Sequence, residues 1–293
     1  MTINAASLYA QEYATRTQLL LQQTDSKLRG RVMTGSHVGE QASPVDQLGQ
    51  VELQDPAGRF APLGRTDAAV ARRWVDPTDK ELNQQFDSFD KLRIISDPQS
   101  QYAANSVAAV NRFYDSLLIT AALATSKTGK TGTGTEAFDT AYSIAAAFGA
   151  AAATGMTVKK LIETRRLWRA AFVDLEAEQM TLVIGSTQEA NLLNEAQVVS
   201  TDFNDRPVLV DGRLVRFLGF DIIVSERLTK VGNDRYCLAW VKSGMYLGVW
   251  ADMVSNVTQR TDLSSQPWQH YVKVTAGATR LEQGKVIRIL ATE

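Results

Sequence analysis

Two histidines, His37 and His270, and a lone cysteine, Cys237, are the whole supply of soft nucleophiles and imidazole ligands in the 293 residues. Zinc sites are built from three or four converging His, Cys or carboxylate ligands, so zinc or copper chemistry starts with little material. No His-Glu-x-x-His pair, paired-cysteine motif or Gly-x-Ser-x-Gly elbow marks an activated water or serine. Gly129-Lys130-Thr131 resembles the end of a phosphate-binding loop, but Ala124 stands where that loop needs its first glycine. Gly132, Gly134 and Ala137 have dinucleotide-fingerprint spacing, yet a long helical pattern precedes them instead of the strand that delivers such glycines to a helix start. The acid pairs Asp87 with Asp90 and Glu176 with Glu178 offer proton transfer in principle, but carboxylates at these spacings read as wet surface. Cys237, between Tyr236 and Leu238 in a strand pattern, reads as a small core residue. His37 falls in a polar arm and His270 in an alternating strand, where a half-exposed structural histidine is expected. No cofactor, metal or catalytic residue is therefore assigned. Two clusters remain. Lys159, Lys160, Arg165, Arg166 and Arg169 form a basic stretch suited to phosphate, to a neighbour's acidic surface or to plain solvation. Arg59, Phe60, Arg65, Arg72, Arg73 and Trp74 combine arginine with aromatics, the composition favoured where proteins meet, and are the candidate subunit-interface residues.

The elements that must carry these residues follow from pattern. With 44% hydrophobic residues the chain can bury a core, and its length suits about two domains. With 31 basic and 32 acidic side chains the formal charge is −1, so no global field draws it to nucleic acid or anionic lipid. One cysteine excludes an internal disulfide framework. No secretory signal is read at the start, and the alanine-rich stretch 144–156 is too short for the roughly 20 apolar residues of a membrane span. Residues 1–45 read as an arm with a possible helix over 5–22. Residues 46–74, rich in turn signals, read as a long hairpin or extended loop. Asp97-Pro98 opens a helix running to about Thr125, with Ala103, Val107, Val110, Tyr114, Leu117 and Ala121 facing inward, and Asn105, Arg112, Asp115 and Ser116 off that stripe. Residues 126–135 read as a flexible turn. A second amphipathic helix over 157–172 places Val158, Leu161, Ile162 and Trp168 on one side and its basic residues elsewhere. Residues 180–184 are a buried strand, Ser186 and Glu189 have capping-box spacing, and strands follow at 208–210, 214–218, 220–224, 236–241, 245–250, 271–274 and 286–290. Helices and strands intersperse without a βαβ repeat, so the class is α+β.

Taken in order, several segments resemble the major capsid proteins of tailed bacteriophages, the shell fold described for the phage Hong Kong 97. They are Asp87-Ser-Phe-Asp90, Asp97-Pro-Gln-Ser-Gln-Tyr102 and the long helix with Arg112 and Asp115; Gly155-Met-Thr-Val-Lys-Lys-Leu161; Gln188-Glu-Ala-Asn-Leu-Leu193; Ser200-Thr-Asp-Phe-Asn204; Leu209-Val-Asp-Gly212; Phe217-Leu-Gly-Phe220; Val224-Ser-Glu-Arg-Leu228; and Gly277-Ala-Thr-Arg-Leu-Glu282. Their collinearity over residues 70–293 carries the resemblance. It implies an N-terminal arm at 1–45, an extended loop at 46–80 that overlaps an adjacent subunit, a peripheral domain at 81–135 and 261–293 with a long spine helix, and an axial domain at 136–260. It implies further a non-enzymatic protein that assembles with copies of itself, as hexamers and pentamers, into an icosahedral shell. The expected partners are scaffolding and portal proteins and nonspecifically held double-stranded DNA, with no membrane. The expected location is the virion, after assembly in the bacterial host cytoplasm. Some relatives weld their shells by a lysine–asparagine bond, but residues 37–79 hold no lysine and no asparagine follows Asn256, so no such cross-link is expected. With a short arm in place of a long cleaved segment, any scaffold is expected to be a separate protein. The alternatives are an encapsulin-like compartment shell and a soluble enzyme using an acidic pair.

Overall fold

The computed structural model describes residues 22–39, 43–55, 58, 64–86, 99–195, 209–210, 213–264 and 266–293. In chain order the elements are β1 (Met33–Ser36), β2 (Ser43–Leu48), β3 (Val70–Val75), β4 (Thr78–Phe86), α1 (Gln99–Leu123), β5 (Ser126–Thr128), β6 (Gly134–Glu136) and β7 (Ser143–Ile144). Then come α2 (Val158–Ala170), β8 (Met180–Ile184), α3 (Ser186–Leu193), β9 (Leu209–Val210), β10 (Arg213–Leu214), β11 (Arg216–Phe217), β12 (Phe220–Val224), β13 (Lys230–Val231) and β14 (Asp234–Val241). β15 (Met245–Gln259), β16 (Trp268–Arg280) and β17 (Val286–Thr292) complete the chain. The chain divides into two compact units, one of residues 1–26, 79–113 and 251–275, the other of 27–78, 114–250 and 276–293.

The larger unit is organised by a seven-stranded sheet in the order β11-β12-β8-β14-β17-β7, with β13 paired to β14. β8 and β12 are parallel and β14 runs antiparallel to both β8 and β17. The apolar run of β8 is buried at every residue, as a strand covered on both faces requires. Leu182, Val183, Ile184, Cys237, Ala239, Trp240, Val241, Val286, Ile287 and Ile289 have no exposed surface and form the core with Trp168 of α2, whose indole lies 5.5 Å from the Phe220 ring. Cys237 sits inside this core, its thiol pushed up to about 12 by burial, as a small apolar residue would. The stretch 286–292, expected to belong with the peripheral segments, is laced into this sheet between β14 and β7.

Several expectations are corrected by what the side chains meet. Val107 is 42% exposed although it lies on the predicted inner stripe of α1, whereas Asp115, predicted wet, is fully buried. The Asp115 carboxylate accepts the backbone N–H groups of Lys27 and Leu28 at 3.1 and 3.2 Å, and these bonds let a charge sit inside. On α2, Ile162 is 54% exposed and Lys160 has no exposed surface. The Lys160 ammonium donates to the carbonyls of Thr154, Gly155 and Leu290 at 2.9, 2.7 and 3.0 Å, and burial lowers its pKa. The 126–135 stretch is an antiparallel β5–β6 hairpin rather than a flexible turn. His270 is buried, with Nδ1 3.3 Å from the Ser106 hydroxyl, not half-exposed. The expected Ser186/Glu189 capping box does not form: Gly185 is the N-cap, and the Ser186 N–H donates to the Glu226 carboxylate at 2.6 Å. Glu226, held below its ordinary pKa by the hydrogen bonds from Ser186, supplies from 40 residues away the anion that a helix start favours. The expected helix start at Asp97-Pro98, the 87–90 and 200–204 motifs and the 211–212 turn lie outside the described residues.

Leu218 (φ 49°) and Gly219 (φ 82°) are the two central residues of the β11–β12 hairpin, both in the left-handed region that a tight two-residue turn demands. The positive φ at Gly219 favours glycine, and a Cβ there would lie 2.5 Å from the Met180 Cε, the flexible end of a side chain that would have to move. Leucine at the first position carries a backbone cost that Asn or Gly avoids. Leu218→Asn is expected to raise the unfolding free energy of the unassembled chain by about 1 kcal/mol. A chemical-denaturation midpoint that does not rise would refute this.

Glu293 ends the same unit in a charged network. Its carboxylate accepts from Lys230 at 2.6 Å and pairs with Arg235, which also holds Glu226 at 2.6 Å. The bonds from Lys230 and Arg235 lower the Glu293 pKa from 4.5 to about 2. A carboxylate depressed on folding binds fewer protons in the native state, so its stabilisation is complete above the unfolded pKa and fades as pH falls towards the folded one. Unfolding titrated from pH 6 downwards is expected to lose this contribution below about pH 4.5, and Glu293→Gln to make that loss smaller. Equal slopes in the two proteins would contradict it.

Candidate subunit-contact surface

The candidate surface starts from strand alternation. β2 and β3 pair antiparallel in register from Ser43 with Val75 to Leu48 with Val70, and β3 continues through Arg73 and Trp74 onto β5, giving the sheet β2-β3-β5-β6. A period of two puts Arg72 and Trp74 on one face and Arg73 on the other. Arg72 grips Asp46 across the strand pair with two bonds of 2.5 and 2.9 Å, and its guanidinium carbon lies 5.9 Å from the Trp74 ring. The Arg72 bonds hold the Asp46 pKa down and raise that of Arg72. Trp74 donates from Nε1 to the Gly129 carbonyl at 2.7 Å and lies against Gly132, where a Cβ would come 3.2 Å from the indole. The 129–133 turn is thereby packed onto the hairpin.

Arg73, the opposite-facing residue, is corrected from the interface set, because it is buried at 8% exposure and holds its own chain. It pairs with Glu136 and donates from Nε to the Leu281 carbonyl at 2.8 Å. The pairing keeps the Glu136 pKa low. Beside it Arg280, 1% exposed, donates to the carbonyls of Ala122 and Ala124 at 2.8 and 3.1 Å, satisfying the end of α1 with a cation. Burial lowers the Arg280 pKa to about 10, with Arg73 adding to the effect. The root of the hairpin is therefore clamped by two buried arginines.

Beyond the root the surface turns apolar and open. Leu48 is 79% exposed, Val70 70%, Val51 52%, and Leu53 fully exposed. Arg65 is exposed and pairs with nearby Asp67 at 2.8 Å. A groove of about 410 Å³ runs beside β3, lined by Val70, Ala71, Arg72, Arg73, Thr128, Gly129, Lys130 and Glu136. A clamped hairpin with an uncovered apolar end is chemically suited to lie against another surface, since such patches mark contacts. Of the six predicted residues, Arg72 and Trp74 come together, Arg65 lies on the connector, Arg73 turns inward, and Arg59 and Phe60 lie outside the described residues. Leu48, Val51, Leu53 and Val70 lie outside the set singled out from sequence; the available signal was bulky aliphatics in a turn-rich stretch, at the ends of β2 and β3 and in the connector between them.

Among the described residues no group of three or more His, Cys, Asp or Glu is placed to hold a metal ion, and no helix is long and apolar enough to cross a membrane. His37 shares a hydrogen bond of 2.8 Å with the Tyr246 hydroxyl and lies 4.9 Å from the Trp250 ring, a structural setting.

Comparison with known proteins bears directly on this geometry. The profile of a family described as phage capsid protein matches residues 5–293. No curated protein sequence matches. Among solved structures the chain is similar to the capsid of the cyanophage P-SCSP1u, 14% identical over 100% of this chain and 96% of that one, with a TM-score of 0.77. It is similar to the cyanophage Pam1 capsid, 10% identical over 98% and 97% of the two chains at a TM-score of 0.74. The capsid of Ralstonia phage GP4 is 11% identical over 100% and 98%, at 0.71. At these identities the likeness is one of fold, the α+β capsid fold of the Hong Kong 97 type. Matched by the family profile from residue 5 to residue 293, the chain belongs to the phage capsid protein family.

Proposed function

We propose that this chain is the major capsid protein of a tailed phage, a structural protein without catalytic activity whose copies associate into the closed icosahedral shell around the genome. The observation that carries the contact mode is the β2–β3 hairpin: a clamped root, then Leu48, Val51, Leu53 and Val70 uncovered by their own chain. In this reading residues 46–80 overlap a neighbouring subunit, with Arg65, Arg72, Trp74, Arg59 and Phe60 at the contact. Residues 1–45 act as the arm, 81–135 and 261–293 as the peripheral domain, and 136–260 as the axial domain, to whose sheet β17 is added. Hexamers and pentamers, a portal, a separate scaffold and packaged double-stranded DNA complete the assembly, which takes place in the host cytoplasm and ends in the virion. A closed shell multiplies individually weak contacts, because each subunit already held raises the local concentration of the next.

The test is direct. The full chain, expressed alone and with its scaffold, is expected to elute at the void volume of a sizing column and to show hollow particles by electron microscopy. A monomer or dimer under all these conditions would overturn the reading. Particles recovered from infected cells are expected to hold DNA; particles that hold an enzyme cargo instead would point to a cellular compartment.

A further inference from the structure

We propose that the exposed arginine-and-apolar face of α2 is a contact between copies of this chain, seated against the Glu189 and Glu195 carboxylates on and just after α3 of the next copy. The proposal rests on the shell-forming reading above.

The face is built around a cleft of about 360 Å³ lined by Ile162, Arg165, Arg166, Arg169 and Leu218. Ile162 is 54% exposed, and Phe172, which follows the helix, is 92% exposed. Phe172 (φ 57°) and Leu218 (φ 49°) are bulky apolar residues in a backbone conformation that favours glycine. Phe172 takes this conformation in closing the C-terminus of α2, with the Val173 N–H donating to the Trp168 carbonyl, and Leu218 takes it in the β11–β12 turn that brings its side chain into the cleft lining. The charges are one-sided. Glu163 is the sole acid on α2 and is taken by Arg166 through bonds of 2.8 and 2.6 Å. Among the described residues neither Arg165 nor Arg169 has an acidic partner within 4.0 Å.

The occupant follows from complementarity. α3 carries Glu189, Glu195 follows it closely, and no lysine or arginine occurs between residues 186 and 195. Two basic faces of α2 repel, which disfavours a two-fold contact of this surface with itself. The basic face of α2 and the Glu189 and Glu195 carboxylates of another copy attract, and where the contact runs head-to-tail its repetition closes a ring when the rotation between copies closes. The apolar floor of the cleft favours a protein surface over phosphate, which arginines alone would serve.

The experiment uses the full-length chain in the particle-forming assay. Arg165→Glu with Arg169→Glu, and separately Glu189→Lys with Glu195→Lys, are each expected to lower particle yield by about tenfold or more. All four reversals in one chain restore opposite charges at every contact and are expected to return the yield to within about threefold of the parent. Circular dichroism and melting of the unassembled variants are expected to match the parent. As an independent readout, a chain carrying Arg169→Cys and Glu189→Cys is expected to give covalent multimers when assembled particles are oxidised. Unchanged yield on arginine reversal, failure of the four-fold swap to rescue, or absence of oxidised multimers would each overturn the contact while leaving the shell reading intact. Arginine reversal that spares particle number and lowers only packaged DNA would assign the face to phosphate and also overturn it. A parent chain that forms no particles overturns the shell reading and this contact with it.

Discussion

Joining Leu48 to Val70 through a two-residue Asn-Gly turn, in place of residues 49–69, is expected to leave a folded, soluble chain that no longer closes into particles. The junction is geometrically mild, because Leu48 and Val70 are register partners and a two-residue turn closes an antiparallel pair without disturbing the ladder. The root is also untouched: the Arg72 grip on Asp46, the Trp74 bond to Gly129 and the Arg73 bonds to Leu281 and Glu136 all lie at or before the new turn. The deletion instead removes Val51 and Leu53, which are exposed in the isolated chain. Folding therefore loses little, whereas association loses the apolar area it would bury. Because contacts in a shell reinforce one another, loss of one per subunit is expected to cut assembly by roughly 10²-fold or more. Sedimentation and electron microscopy read the particle fraction, and thermal melting reads the fold. Closed shells from the shortened chain would sink the proposal that this loop holds neighbours.

Lys160 supplies the largest expected effect on the fold itself. Its ammonium uses all three donors on carbonyls from two separate stretches, Thr154 and Gly155 before the helix and Leu290 in β17. Lys160→Ala removes the buried stem, opens a cavity and takes the donor from these carbonyls. The combined loss is expected to be about 3 kcal/mol or more, from cavity formation and unpaired acceptors together. Lys160→Met keeps most of the stem and also removes the cost of burying a charge, so its loss is expected to be smaller, about 1–2 kcal/mol. Denaturant midpoints with unchanged slopes measure both. Equal stability of the alanine variant and the parent would show that the three bonds do not support the 154–155 segment. Faster hydrogen exchange around residues 145–157 in the methionine variant is the local signature.

The pattern of misreadings has a common cause. Periodicity locates an element and its average inner side, which is why the long helix, the buried run of β8 and the alternation at the start of β16 were legible. It fails for residues whose burial depends on a distant partner. Asp115 and Lys160 are hydrophilic by composition; Asp115 is buried because backbone N–H groups 87 and 88 residues away donate to it, and Lys160 because two nearby carbonyls converge with one 130 residues away. On the candidate surface, arginine and tryptophan content singled out β3, but adjacent residues of a strand face opposite ways. Arg72 and Trp74 were legible as surface, whereas the inward turn of Arg73 required knowing which face of the hairpin meets Glu136 and Leu281.

The order of residues alone determined the α+β class, the positions of most helices and strands, the lack of metal-binding and disulfide material, and the collinear likeness to phage shell proteins, since these depend on local propensity and spacing. Tertiary structure alone decided which charges lie inside, that a 126–136 hairpin packs under Trp74, that Arg280 closes the end of α1, and that the β2–β3 hairpin carries its apolar residues uncovered. Burial of a polar group is favourable only where its hydrogen-bond partners converge, and that convergence is set by chain crossings that no local pattern encodes.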